Sequence, residues 1–461
     1  MTTIDGQWLR PATTREEYFE CGHQLRETLT CYTMHLSCSK PLDHDTVMSA
    51  LTNLYRKVGV LQVCLGQHEG QLWLRKMNHC QLDFKIMDIG VVEAEEDKLS
   101  RLPYNTAEGP LWRVRLLTKA TANTSRSQDP TFCHNYALLF GIHHALADGF
   151  TNIRICNMLH TILEDVMAGR TVDDEQQLGE HVDDTQVLRL YEQETRKLME
   201  DPKLLAKAKE QLHEDVCPLL HKFFPAQENT DIKTSYVNTY FNEEMTRSFL
   251  HKCKAEGVSL HCGLTGVINV AIIELLESFC ELPHEINFRA GHDVNIRRYY
   301  TGDTSRTLGV HLPTFGFKTS FKTTKDLRYN FWPSVRIFQN KFNSELNDRQ
   351  PLQAVALRMM EKSKSDNFKE YFRRHGVPGC YYTISNLGDV TPTLPGDGDC
   401  IKVWKVTRLS SLRGMTNFIC FYVHTLKGRL DINLGFSTRF LDHKVASKIM
   451  ENISNSITTL C

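Results

Sequence analysis

The 461-residue sequence has no C-x-x-C pair. Its 15 cysteines are scattered from Cys21 to Cys461, the closest being Cys31 with Cys38 and Cys253 with Cys262. An odd count at irregular spacing fits neither a disulfide framework nor a zinc cluster, so reduced and mostly buried thiols are expected. Long apolar runs are lacking too. The nearest, residues 266–276, is interrupted by Asn269 and Glu274 and falls short of the roughly 18 residues a membrane span needs, so it reads as a buried helix. Residues Met1 to Trp8 hold no basic stretch followed by an apolar one, so no leader is expected and the expected location is cytoplasmic. Nor is there an excess of charge: 54 Lys and Arg against 55 Asp and Glu give a net charge of -1, which excludes a chain-wide basic surface for nucleic acid or an acidic membrane. Low-complexity tracts, heptads and fixed-period repeats are missing, which excludes solenoids and coiled coils.

What remains is 41% hydrophobic and 24% charged, the balance of a chain that buries a core, at a length that suggests two to three domains or two large lobes. Asp43-His-Asp45 precedes Val47, Leu51, Leu54, Tyr55 and Val58, helical spacing behind an acidic N-cap. Residues Val60 to Leu65 and Gln71 to Arg75 read as a strand pair around the turn Gly66 to Gly70. Leu111 to Leu117 reads as a strand, the polar stretch Thr118 to Thr131 as a loop, and Tyr136 to Ile142, apolar on both faces, as a central covered strand. A helix follows Gly149, with Ile153, Cys156, Leu159, Ile162, Leu163 and Val166 on one side, and ends near Gly169. Residues 172–233 are charged and helical, a crossover between an N-terminal lobe at 1–171 and a C-terminal lobe at 234–461. The second lobe opens with strand Thr234 to Phe241, helix Glu243 to Ala255 and the apolar helix Leu264 to Leu276; it closes with a hairpin around Leu426 to Arg429 and a helix after Asp442. Strands alternating with helices in both halves imply an α/β protein of two lobes around a shared cleft.

One segment carries chemistry. His143-His-Ala-Leu-Ala-Asp-Gly149 lies between the covered strand and the helix, where a strand end delivers a side chain rigidly to a sheet edge. A desolvated imidazole there is held neutral and accepts a proton near neutral pH. Adjacent residues on a strand face opposite ways, which assigns one histidine to chemistry and the other to structure. Asp148, four residues on, suits bonds that lock the turn better than a triad, and Gly149 gives backbone freedom or close packing at the helix start.

This segment resembles the HHxxxDG signature of the chloramphenicol acetyltransferase-like superfamily, which includes condensation domains, polyketide-associated acyltransferases, fungal alcohol acetyltransferases, wax ester synthases and the plant BAHD enzymes. The resemblance covers most of the chain. Residues 109–117 with HHALADG look like the first lobe; Asp293-Val-Asn-Ile-Arg-Arg298 and Thr307-Leu-Gly-Val-His-Leu312 are similar to the arginine stretch and glycine strand of the second; Tyr382-Thr-Ile-Ser-Asn-Leu-Gly388 is similar to its SNLG-type segment. The resemblance implies two chloramphenicol acetyltransferase-like lobes, each a mixed sheet with helices, around a central tunnel. It makes His144 the general base and places Asp148 with it at the catalytic centre. His143, Gly149 and Arg297 are structural there, Arg297 being the match to the arginine that pairs with the motif aspartate. Ser385 and Asn386 are candidates to bind substrate or a developing oxyanion. No DFGWG sequence occurs, which argues against a BAHD enzyme, and residues 266–270 lack the Asn-Asp pair of wax ester synthases. A stand-alone alcohol acetyltransferase or polyketide-associated type fits best.

The activity so implied is transfer of an acyl group from a thioester, with acyl-CoA as co-substrate and no bound cofactor, to a hydroxyl or amine without a covalent intermediate. The alternatives are a condensation-type or wax-ester-type transfer, with an acyl carrier protein or a long-chain donor, and a non-catalytic binding protein on the same fold. His261-Cys262 reads as core rather than a nucleophile pair; Arg297-Arg298 and Arg373-Arg374 are weighed as contacts to coenzyme A phosphates against plain surface charge; His292, His311 and His424 lack metal-ligand spacing, so no metal is expected.

Overall fold

The computed structural model describes residues 7–88, 91–118, 129–173, 175–181, 185–213, 218–227, 231–321, 324–362, 380–413 and 419–461. Arg373 and Arg374 and most of the Thr118 to Thr131 loop lie outside the described residues. The chain forms two compact α/β units. The first comprises residues 1–185 with 300–311 and 390–411; the second comprises 186–299, 312–389 and 412–461. Two short segments from the half of the sequence grouped with the second lobe therefore belong to the first unit, while the crossover helices Pro202–His213 and Pro218–Phe223 belong to the second.

The first unit is built on a five-stranded mixed sheet in the order Ile401–Ser410, Thr30–Cys38, His134–Ile142, Trp112–Leu117, Phe84–Met87. Only the last pair is parallel. Strand His134–Ile142 is central, as its two-sided apolar run requires, with Ala137 to Phe140 and Ile142 fully buried. Helices His44–Lys57 and Gly149–Met167 pack on each other in this unit, each capped by the aspartate that its sequence offers: Asp43 accepts from the Thr46 N–H at 2.7 Å and Asp148 from the Thr151 N–H at 2.8 Å. The Val63–His68 and Gln71–Lys76 hairpin gains Trp8–Pro11 as a third strand.

The second unit centres on a six-stranded mixed sheet, Thr314–Phe321, Ile286–Asp293, Tyr382–Asp389, Ile419–Leu426, Arg429–Ser437, Thr234–Phe241. The Lys427-Gly428 turn of its hairpin has φ of +49° and +72°, the left-handed pair that a two-residue connection demands. Among the described residues one helix, Leu260–Glu277, is long and apolar enough to cross a membrane, and 72% of that stretch is buried inside the fold. It packs on helices His443–Leu460 and Phe331–Asn347, and its central Asn269 accepts from the Tyr382 hydroxyl at 2.7 Å, so its polar atom is satisfied in the core.

Candidate active site

Strand His134–Ile142 ends one residue before the histidine pair, and residues 143–148 form a turn into helix Gly149–Met167. The two rings therefore do not alternate across a strand. Both meet the same element, helix Thr14–Gln24, and differ in what they meet there. His143 is buried at 1% exposure, its Nε2 3.0 Å from Glu20 Oε2 and its Nδ1 accepting from the Ala145 N–H at 3.1 Å. His144 is half-buried, stacked on Phe19 with ring centroids 3.9 Å apart.

The His144 Nδ1 lies 2.9 Å from the Ala147 carbonyl oxygen, and since a carbonyl can only accept, Nδ1 carries the proton. Nε2 is then the bare nitrogen, able to take a proton. Burial, followed by the charge of Arg15, pushes the imidazole pKa down to about 4, against weaker opposing effects of Ala147 and Asp148. At neutral pH the ring is uncharged. Arg15 is itself buried, its guanidinium over the rings of Tyr18 at 4.7 Å and Phe19 at 4.5 Å.

Asp148 faces the turn rather than the imidazole. One carboxylate oxygen caps the helix through Thr151, the other accepts the His311 N–H at 2.9 Å, and its own N–H donates to the Gly309 carbonyl at 3.2 Å. Thr151 adds its hydroxyl to Gly309, donating to the carbonyl at 2.8 Å. His311 is fixed in turn by Tyr300, 2.6 Å from its Nδ1. The strand-to-helix turn and residues 300–311, far apart in sequence, thus form one hydrogen-bonded block within the first unit. Gly149 sits at the first helical position, buried and with no positive φ, so no left-handed backbone requires a glycine there.

The remaining candidates belong to the second unit. Arg297 is buried on the turn Ile296–Tyr299, where Asn295 Oδ1 accepts its backbone N–H at 3.1 Å and its guanidinium at 3.2 Å. Ser385 is buried on strand Tyr382–Asp389, and Asn386 Oδ1 accepts the Gly388 N–H at 2.8 Å, which commits that oxygen to the strand's own end. Half-buried His261 and buried His292 form a pair, Nε2 to Nδ1 at 3.0 Å, among Phe315, Phe317, Phe338 and Phe342, while Cys262 is fully buried with its thiol pushed up to about 11 by burial. That thiol is no nucleophile at neutral pH.

Four residues of the site, Arg15, Phe19, Glu20 and His23, have no counterpart in the sequence reading. Helix Thr14–Gln24 has buried charges on it and little apolar periodicity, and the available signal was only the capping box in which Glu16 returns to Thr13.

Neither a protein-family model nor a curated protein matches the chain. Solved structures do. The chain is similar over 99% of its length, and 99% of the other's, to polyketide synthase associated protein 5 from Mycobacterium tuberculosis at TM-score 0.65 and 14% identity. The trichothecene 15-O-acetyltransferase from Fusarium sporotrichioides aligns at TM-score 0.68 and 11% identity, covering 100% of this chain and 99% of that one. The epimerization domain from the third module of tyrocidine synthetase B aligns at 0.68 and 13%, covering 100% and 98%. The fold is therefore the one that these acetyltransferase, epimerization-domain and condensation-domain structures share, and it extends over the whole chain.

Proposed function

We propose that the protein is an acyltransferase that moves an acyl group from a thioester, acyl-CoA in the first instance, to a hydroxyl or amine. The observation that carries the reading is the His144 tautomer: a neutral, half-buried imidazole whose Nδ1–H is bound to Ala147 and whose Nε2 lone pair is bare. Nε2 takes the proton of the acceptor O–H or N–H as that atom attacks the thioester carbonyl, forming the new C–O or C–N bond. The tetrahedral oxyanion collapses with loss of the thiolate, and the proton returns from Nε2 to sulfur, so that ester or amide and free thiol leave together. Ser385 and Asn386 are the proposed oxyanion donors, a role that rests on the SNLG-type resemblance. Asp148 serves the reaction by locking the turn that presents His144.

The likeness to condensation domains keeps a carrier-protein thioester as the second donor to test. The deciding experiment incubates purified protein with acyl-CoAs of several chain lengths and a panel of alcohols and amines, following thiol release together with product mass. Transfer that is lost in His144→Ala supports the reading. Silence with both CoA and carrier-protein thioesters assigns the chain to the non-catalytic alternative.

A further inference from the structure

Three buried polar atoms converge beneath the histidine pair. Glu20 Oε2, His23 Nδ1 and His143 Nε2 lie within 4.8 Å of one another, on residues 6%, 7% and 1% exposed, and none has a well-aligned hydrogen bond. Such a trio of ligand types invites a metal ion, but the outer nitrogens decide otherwise. The Ala145 N–H donates to His143 Nδ1 at 3.1 Å and the Tyr104 N–H donates to His23 Nε2 at 2.9 Å. Each outer nitrogen must therefore be bare, and each neutral ring carries its proton on the nitrogen that faces Glu20. A metal would need those facing nitrogens deprotonated, leaving both rings as imidazolates. Instead the two nitrogens flank one carboxylate oxygen, Glu20 Oε2, at 3.0 Å from His143 and 3.7 Å from His23. The other oxygen, Oε1, accepts from Gln24 at 3.1 Å and Thr106 at 3.2 Å. Burial raises the Glu20 pKa, but its interactions with His143, Gln24 and His23 together outweigh it, and the net shift is downward, toward the anion.

The consequence reaches His144 through the turn. The His143 ring holds the Ala145 N–H, the His143 carbonyl holds the Leu146 N–H at 2.9 Å, and the carbonyl of Ala147, directly after Leu146, fixes the His144 proton. Phe19, beside Glu20 on the helix, stacks on His144. We propose that Glu20 is a positioning residue: by clamping His143 in its Nε2–H tautomer it sets the turn that keeps His144 in the Nδ1–H tautomer, an inference that rests on the acyl-transfer reading of His144.

The test records ring-nitrogen correlations on full-length protein labelled with 15N-histidine, at pH 7, and assigns rings by single His143→Gln and His144→Gln variants. Wild type is expected to show His143 as the Nε2–H and His144 as the Nδ1–H tautomer. In Glu20→Gln, His144 is expected to divide between tautomers, with kcat for thioester turnover down by about 100-fold, the effect of an ångström-scale misplacement, and KM for acyl-CoA within about twofold. A purely structural role would lower the melting temperature and leave the His144 tautomer and the kcat to KM split unchanged. Wild-type His143 in the Nδ1–H tautomer overturns the proposal without recourse to any variant. So does stoichiometric cobalt(II) binding with a visible absorption band lost in His143→Gln, or unaltered kcat in a folded Glu20→Gln. If wild type turns over no thioester, the acyl-transfer reading fails, and the two tautomers in Glu20→Gln still decide whether the clamp exists.

Discussion

Phe19 and His144, 125 positions apart in the chain, are stacked with their ring centroids 3.9 Å apart and their planes 22° from parallel. The contact fixes the plane of the proposed base, while the Ala147 carbonyl fixes which nitrogen is protonated. Orientation and tautomer are therefore set by different parts of the first unit.

Replacement of His144 by alanine is expected to reduce acyl transfer by about 10²–10⁴-fold, the usual contribution of a positioned base, while circular dichroism and acyl-CoA binding stay near wild type. An active His144→Ala enzyme, measured by thiol release, would remove the mechanism.

Truncation of Phe19, 3% exposed and carrying both the His144 stack and the Arg15 guanidinium, should destabilise the protein by about 3–5 kcal/mol in urea unfolding. Phe19→Leu, which keeps most of the volume, should cost less while still lowering kcat. A wild-type rate in Phe19→Leu would show that the stack orients nothing.

Asp148→Asn keeps one acceptor oxygen and replaces the other by an NH2, so either the Thr151 cap or the buried His311 N–H loses its acceptor, at a cost of about 1–3 kcal/mol. Asp148→Asn should lower stability and activity together. The ion pair with Arg297 that the resemblance implies is read from a double-mutant cycle of Asp148→Asn with Arg297→Gln. Breaking one side of a buried pair costs about 3–5 kcal/mol, so strongly non-additive losses support the pair, and simple additivity rejects it.

Gly309 sits at φ +121°, where a Cβ would meet His311 Nε2 at 3.1 Å. Because its carbonyl receives both the Asp148 N–H and the Thr151 hydroxyl, Gly309→Ala should strain the same block that Asp148 locks. We expect a cost of about 1–3 kcal/mol with partial loss of kcat, checked by melting temperature and turnover.

Acid should weaken the fold before it reaches ordinary carboxylate pKa values. Burial lowers His35 to about 3, and lowers His23 and His144 to about 4, from the ordinary 6.5. Between pH 6.5 and about 4 the unfolded chain thus binds more protons than the folded one, so stability rises with pH through that window and is lost as pH falls through it. Over the whole window each ring contributes on the order of 3–5 kcal/mol. The urea midpoint should fall markedly from pH 7 to pH 5, and an unchanged midpoint would contradict the burial of these rings as neutral groups. Initial transfer rates on protein still folded should hold to about pH 5, because His144 remains uncharged there.

Much of the secondary structure was legible from local chemistry. Asp43, Asp148 and Asp442 each precede an amphipathic run and each caps a helix, since a carboxylate beside free N–H groups is a local bond that needs no tertiary partner. The two-sided apolar run before His143 marked the central strand, because composition and period report burial directly.

Helix Thr14–Gln24 was not legible in that way. Its Arg15, Glu16, Glu20 and His23 are buried although their side chains mark a helix as exposed, and they are stable inside only because partners distant in sequence receive them: Thr106 and His143 at Glu20, and Tyr104 at His23. Strand Ile401–Ser410 pairs along its length with Thr30–Cys38, and residues 300–311 bind the turn after His144. The sequence by itself determined which residues make the central strand and the helix after it, and it nominated the histidine pair between them as the place of the proposed base. Only the tertiary structure decided which nitrogen of each histidine is protonated, because that depends on single N–H and C=O groups whose positions no local pattern encodes.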